Sequence, residues 1–208
     1  MQATSHHQEQ LQALLRHQSL WRGRGAAAPA GWSTGFAALD AALPGGGWPR
    51  RGLVEVITQG AGQGELTLWA PLLRALSQHE AARCCAFVAP PFELFAPAWR
   101  AVGMRLDRLL VARATEPLWA LEQSLLSGAC AIGFAWVGAG MNLVPLRRLA
   151  LAAEQGAALG VLIRPPRAAH DHTAAALRLG VRRTRSGLSV DLLKGRGLTP
   201  RTLELGLA

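Results

Sequence analysis

Residues 54–68 read VEVITQGAGQGELTL, and the architecture of the chain follows from how they pair. Val54 to Ile57 is an apolar-flanked run suited to a strand, Gly60 to Gly64 is a glycine-rich turn, and leucines recur at helical spacing from Glu65 onward. A strand that feeds a helix through glycines aims backbone N–H groups at one point, which is the layout of a phosphate-binding loop. That loop pattern closes with Gly-Lys-[Ser/Thr], whereas this run closes with Gly64-Glu65-Leu66-Thr67. A carboxylate stands in the lysine position and a leucine in the position of the magnesium-binding hydroxyl. At an effective dielectric near 20, a charge pair about 4 Å apart is worth roughly 4 kcal/mol, and lysine to glutamate reverses its sign against each phosphate charge. The N–H groups of Gly60, Gly62 and Gly64 offset only part of that. Thr67 offers an oxygen only in a shifted loop.

Both flanks of the loop continue in an α/β manner. Upstream, Ser33 or Thr34 is expected to cap a short helix running to Leu43, and Pro44 to Pro49 makes a tight glycine turn before the strand Leu53 to Ile57. Downstream, helices are expected over Glu65–Gln78, Leu94–Val102, Glu116–Ser127 and Leu143–Gln155. Strands are expected over Cys84–Ala89, Arg108–Ala112, Ala131–Val137 and Leu159–Ile163. The fully apolar Ala131–Val137 suits the centre of a parallel sheet. Ala176–Arg183 and Leu188–Leu193 form a hairpin around Ser186-Gly187, and Thr202–Leu205 adds a last strand. The fold class is therefore α/β: a mainly parallel sheet flanked by helices, a C-terminal β-hairpin and a separate N-terminal helix.

That N-terminal helix spans residues 4–20, with Leu11, Leu14 and Leu15 on one face, and Gly23 to Pro29 reads as a linker. Two domains are expected: residues 1–30 as helix and linker, and residues 31–208 as the core. The apolar face of the helix packs either on its own core or on a neighbouring subunit or partner. Trp21, Trp32 and Trp48 flank linkers or turns and suit a docking surface, whereas Trp69, Trp119 and Trp136 lie on apolar faces and suit the core.

The chain has 208 residues, half of them hydrophobic, enough for one sizeable core. No apolar run reaches the roughly 20 residues that span a bilayer. The polar start MQATSHHQEQ is unlike a secretory signal, and the three cysteines lack metal-ligand spacing, so reduced thiols in the cytoplasm are expected. The formal net charge is +9, carried almost wholly by arginine, since Lys194 is the lone lysine. Such a charge suits a polyanionic partner, although an Ala-, Gly- and Pro-rich chain also points to genome composition as its source. Arg164, Arg167 and Arg178 form one candidate basic cluster for DNA, and Arg182, Arg183 and Arg185 on the hairpin form another. The tryptophans are not interleaved with these arginines, so no stacking platform for single strands is expected. His170-Asp171-His172 lacks a further ligand and reads as a solvated loop rather than a metal site.

Residues 31–68, GWSTGFAALDAALPGGGWPRRGLVEVITQGAGQGELTL, resemble the start of a RecA-type ATPase core, and residues 85–137 follow the same core strand for helix. Trp21-Arg22-Gly23-Arg24, Leu43-Pro44-Gly45-Gly46-Gly47-Trp48-Pro49, Val88-Ala89-Pro90-Pro91 and Ser127-Gly128-Ala129-Cys130 look like the ImuA family, RecA-like proteins of SOS-induced translesion DNA synthesis. Members of that family also carry a SulA-like, division-inhibitor label. The resemblance implies a degenerate RecA-like core that works with an ImuB-type polymerase-like protein, indirectly with an error-prone C-family polymerase, and with RecA, DNA or further copies of itself as other partners. It also places the His170-Asp171-His172 loop, with Arg164 and Arg167 on one side and Arg178 beyond, where RecA-type proteins put a DNA-contacting loop.

A working RecA-type site further needs an acid after the second core strand and an aspartate at the end of the central strand. Ala89-Pro90-Pro91 occupies the first position, with Glu93 off register, and no Asp or Glu lies between Glu122 and Glu154. The expectation is a non-catalytic adaptor without cofactor or metal. It uses Leu11, Leu14, Leu15 and Trp21 for partners and the arginine clusters for DNA. A DNA-stimulated recombinase-type ATPase and a SulA-like division inhibitor are the alternatives.

Overall fold

A computed structural model describes residues 29–79 and 83–207. The residues 1–28, with Leu11, Leu14, Leu15, Trp21 and most of the expected linker, lie outside the described ones.

Eight strands form one sheet: β1 (Gly52–Ile57), β2 (Cys84–Val88), β3 (Leu109–Ala112), β4 (Cys130–Trp136), β5 (Leu159–Arg164), β6 (Leu177–Arg183), β7 (Gly187–Gly195) and β8 (Arg201–Gly206). Their order is β3-β2-β4-β5-β1-β6-β7-β8. All pairs from β3 to β6 are parallel, and β7 and β8 extend the sheet antiparallel. The expected hairpin is present, closed by the Thr184 N–H donating to the Gly187 carbonyl at 2.9 Å. β1 is buried along its whole length, as a strand with parallel neighbours on both sides must be.

Period-two alternation sends Val54 and Val56 of β1, Ile132 and Phe134 of β4, and Val161 and Ile163 of β5 to one face. There they meet Leu68, Trp69, Leu72 and Leu73 of helix α2 (Glu65–Gln78). Rings dominate this layer: Phe87 stacks on Phe134 at 4.9 Å, and Trp69 meets Phe134 edge-on at 5.6 Å. Residues 29–48, including the short helix α1 (Ala37–Asp40), cover α2. Trp48 is fully buried and stacks on Trp69 at 4.0 Å, and Trp32 pairs with Trp48 and packs against the core. These two tryptophans are thus core elements, contrary to the docking surface expected from their linker-flanking positions. Trp119 is the reverse case, lying 60% exposed on the outer side of its helix.

The opposite face carries α4 (Pro117–Leu126) and α5 (Leu143–Gln155), reached after the short α3 (Ala96–Ala101) that follows β2. Leu121 and Leu125 of α4 come close to the sheet because Gly133 and Gly160 have no side chain. A Cβ at Gly133 would stand 2.7 Å from Leu121 Cδ1.

Two expectations about helix starts are corrected. The residue capping α1 is Phe36, and neither Ser33 nor Thr34 caps it. The Ser33 hydroxyl and the Thr34 N–H instead donate to the Asp40 carboxylate, each at 2.7 Å, which ties the stretch before the helix to its last residue. Similarly, α3 begins at Ala96 rather than Leu94, with Pro97 in its first turn, where a missing N–H costs nothing. No helix of the described residues is long and apolar enough to cross a membrane.

Candidate functional site

The glycine loop leaves β1 at Thr58, whose N–H donates to the Arg164 carbonyl at 3.0 Å and whose hydroxyl donates to the Gly60 carbonyl at 3.1 Å. Gly62 and Gly64 hold φ of 82° and 95°, and Gly64 is the residue that caps α2. Only glycine takes that conformation cheaply, and a Cβ at Gly64 would also collide with the Leu188 side chain. The first residue inside the helix is Glu65, 2% exposed. Its side chain turns back over the loop, and Oε1 accepts a hydrogen bond from the Gly62 N–H at 2.7 Å.

An acidic group at a helix N-terminus, bonded to a loop amide, is held by the same forces that hold a phosphate in such a loop. The loop amide and the positive end of α2 thus already serve a carboxylate of the chain itself. Glu65 Oε2 is buried without a hydrogen-bond partner among the described residues. An unmet buried acceptor costs about 1–3 kcal/mol, against a charge-assisted bond worth about 1.5–3 kcal/mol. Leu66 and Thr67, the next two residues, are half-buried.

Past the loop the walls become apolar. A groove of about 370 Å³ runs between the start of α2, residues 90–95 and α3. Ala70, Trp99 and Trp136 line it, and Phe92 and Phe95 stand 71% and 69% exposed beside it. Pro90 and Pro91 occupy the place where a water-activating acid was sought. Glu93 also borders the groove, its carboxylate 2.6 Å from Arg113 in an exposed ion pair. The sequence reading missed this groove. The signal was the FELF run after two prolines, where apolar residues precede the helix they were assigned to.

The arginines divide into two groups. Arg164 and Arg178, offered as DNA contacts, are buried and belong to an internal ion network on the α4–α5 side of the sheet. Arg164 Nη1 lies 2.8 Å from Glu55 Oε1, and Arg178 Nε donates to Glu55 Oε2 at 2.6 Å. Arg164 Nη2 also donates to Asp171 at 2.7 Å, and Arg178 Nη1 to the carbonyls of Ala169 and Asp171. Glu55 and the two arginines, on adjacent parallel strands, leave one positive charge, and Asp171 supplies the second carboxylate that balances it, as buried charges require. The expectation fails because Glu55 was read only as part of the β1 pattern. A carboxylate inside LVEVI asks for buried cations on β5 and β6, and those cations are Arg164 and Arg178.

Asp171 likewise belongs to this network and not to a histidine cluster. Its carboxyl is held below its ordinary value of 3.8, first by the N–H of Gly140 and then by the charges of Arg164 and Arg178. It ties residues 166–175 to the 138–140 turn. No group of His, Cys, Asp and Glu among the described residues is placed to hold a metal. Arg167, Arg182, Arg183 and Arg185 are exposed. Arg182 donates to the Ser189 hydroxyl at 3.1 Å across the hairpin.

No family model matches the chain, and no curated protein matches it by sequence. Among solved structures, the crystal structure of SulA from Pseudomonas aeruginosa is similar over 54% of this chain and 97% of that one, with 28% identity and a TM-score of 0.46.

Proposed function

We propose that the chain is a non-catalytic, RecA-like adaptor in damage-induced translesion DNA synthesis. It works through its surfaces, contacting an ImuB-type polymerase-like protein, with RecA, DNA and further copies of itself as other partners. The observation that carries the non-catalytic part is the Glu65 carboxylate bonded to the Gly62 amide, inside the loop where a triphosphate would bind. Ligand and side chain compete for one N–H, and the side chain is tethered and always present.

The RecA-like part rests on the sequence motifs, supported by a central parallel strand that enters a helix through glycines. The adaptor part rests on the family resemblance. It is supported by the exposed aromatics beside the groove and the exposed arginines of the hairpin. DNA contact is assigned to Arg167, Arg182, Arg183 and Arg185.

Co-purification of the full chain with the polymerase-like protein and with RecA, at two salt concentrations, tests this reading. Retention of the polymerase-like protein at both is expected. Loss of all complexes, together with ATP turnover, would overturn it.

A further inference from the structure

The groove beside the glycine loop lies at the carboxyl ends of three parallel strands. The loop follows β1, the stretch from Pro90 to Phe95 follows β2, and Trp136 is the last residue of β4. Open parallel sheets take their ligands in that crevice. The Glu65 carboxylate accounts for the anions this crevice refuses, and the rest of the lining indicates what it accepts.

Glu93 does not set the charge of the groove, because Arg113 neutralises it in an exposed pair. Glu65 does. It lines the groove and is 2% exposed. Among the described residues no basic side chain forms an ion pair with it. One of its oxygens takes the Gly62 N–H, and the other is buried without a donor. A buried carboxylate with no cation beside it is costly, and an entering cation offsets that cost. Four lining residues are aromatic, namely Phe92, Phe95, Trp99 and Trp136, and none of the described lining residues is basic. Ring faces attract positive charge as a carboxylate does, and their apolar area favours a flat apolar body.

We propose that the groove binds a small organic cation. Its flat apolar part sits among the rings, and its amidinium or ammonium group turns toward Glu65. Phosphate esters and carboxylates are shut out by the same charge. The site requires neither a polymerase partner nor DNA, so it stands apart from the adaptor role.

Benzamidinium, benzamide and benzoate share one ring and nearly one shape but carry a positive, no and a negative charge. Ligand-observed NMR titration of the full chain with each of the three is the test. Benzamidinium should bind with a dissociation constant on the order of a millimolar, benzamide about tenfold more weakly, and benzoate not at all. Glu65→Gln keeps an acceptor for the Gly62 N–H and removes the charge. It should bring benzamidinium down to the level of benzamide and leave benzamide itself unchanged. Phe95→Ala, at an exposed position, should weaken both by a similar factor. Melting curves show that the variants are folded, and the charge series on the parent together with Phe95→Ala decides the matter even where Glu65→Gln melts early. Absence of benzamidinium binding, equal affinity for benzamide, binding of benzoate, or a benzamidinium affinity unmoved by Glu65→Gln would overturn the proposal.

Discussion

Oε1 of Glu65 accepts the N–H of Gly62 at 2.7 Å, so a residue at the start of a helix closes the loop that leads into it. Removing that carboxylate exposes the amide to other anions without supplying lysine, a magnesium ligand or a general acid. Glu65→Ala is therefore expected to bind inorganic phosphate weakly, with a dissociation constant on the order of millimolar. It should release no phosphate from ATP, and its stability should stay within about 1 kcal/mol of the parent, because the missing bond and the missing unmet oxygen nearly cancel. Calorimetric titration with phosphate and a phosphate-release assay check both halves. For the parent chain, magnesium-ATP should leave the melting temperature unchanged, since a ligand that does not bind cannot stabilise by mass action.

Glu55 presents the opposite balance. Its carboxylate meets two buried guanidinium groups, and neither has water to fall back on. Glu55→Ala should destabilise the fold by about 3–5 kcal/mol, as removal of one partner from a buried ion network does. Replacing Glu55, Arg164 and Arg178 together by apolar residues should cost less than Glu55→Ala alone. Urea denaturation of the two variants compares them.

The exposed arginines should behave in the reverse manner. Arg182→Ala with Arg183→Ala and Arg185→Ala should alter stability by less than about 0.5 kcal/mol per residue. DNA affinity should fall, and its dependence on salt should become shallower by about 0.9 in the log–log slope for every phosphate no longer neutralised. Arg164→Met, by contrast, should unfold before it reports on DNA. Filter binding across a salt series, read beside thermal melting, separates these cases.

Acid should loosen residues 166–175. The Asp171 pKa lies below 3.8 in the folded chain, so its contribution to stability is complete above pH 3.8 and is lost as pH falls through the lower folded value. Asp171→Asn should flatten the stability profile in that acidic window. At the other end of the scale, burial pushes the Cys85 thiol up to about 12, with Cys130 and Cys84 adding to the effect. The native thiol therefore stays protonated at neutral pH and should resist alkylation until the chain unfolds. Its contribution to stability is complete below the ordinary thiol value of 9.0 and is lost as pH rises from there toward 12. Alkylation rates with and without denaturant measure this.

Leu14→Asp with Leu15→Asp should abolish association with the polymerase-like partner or with further copies, while the melting temperature of the core stays unchanged. Size-exclusion chromatography of the mixture reads the first effect and circular dichroism the second. An unaltered complex would remove these leucines from the interface.

Periodicity in the sequence determined most of the strands and helices, because hydrophobic spacing is local. Glu65–Gln78 and Leu143–Gln155 are helices with the same bounds as their apolar patterns. Sequence alone also showed that Gly64 is followed by glutamate and not lysine, since a residue's identity needs no coordinates.

Contacts made across the sheet were decided by the tertiary structure. Glu55 and Arg164 are 109 positions apart, and neither pattern records that one carboxylate and two arginines share a buried layer. Nor does composition tell a stacked Trp48 from an exposed Trp119. The direction of the Glu65 side chain belongs to the same class. The sequence placed an acidic residue after the glycine turn, but only the turn made by Gly62 and Gly64 brings its carboxylate onto the loop's own amide.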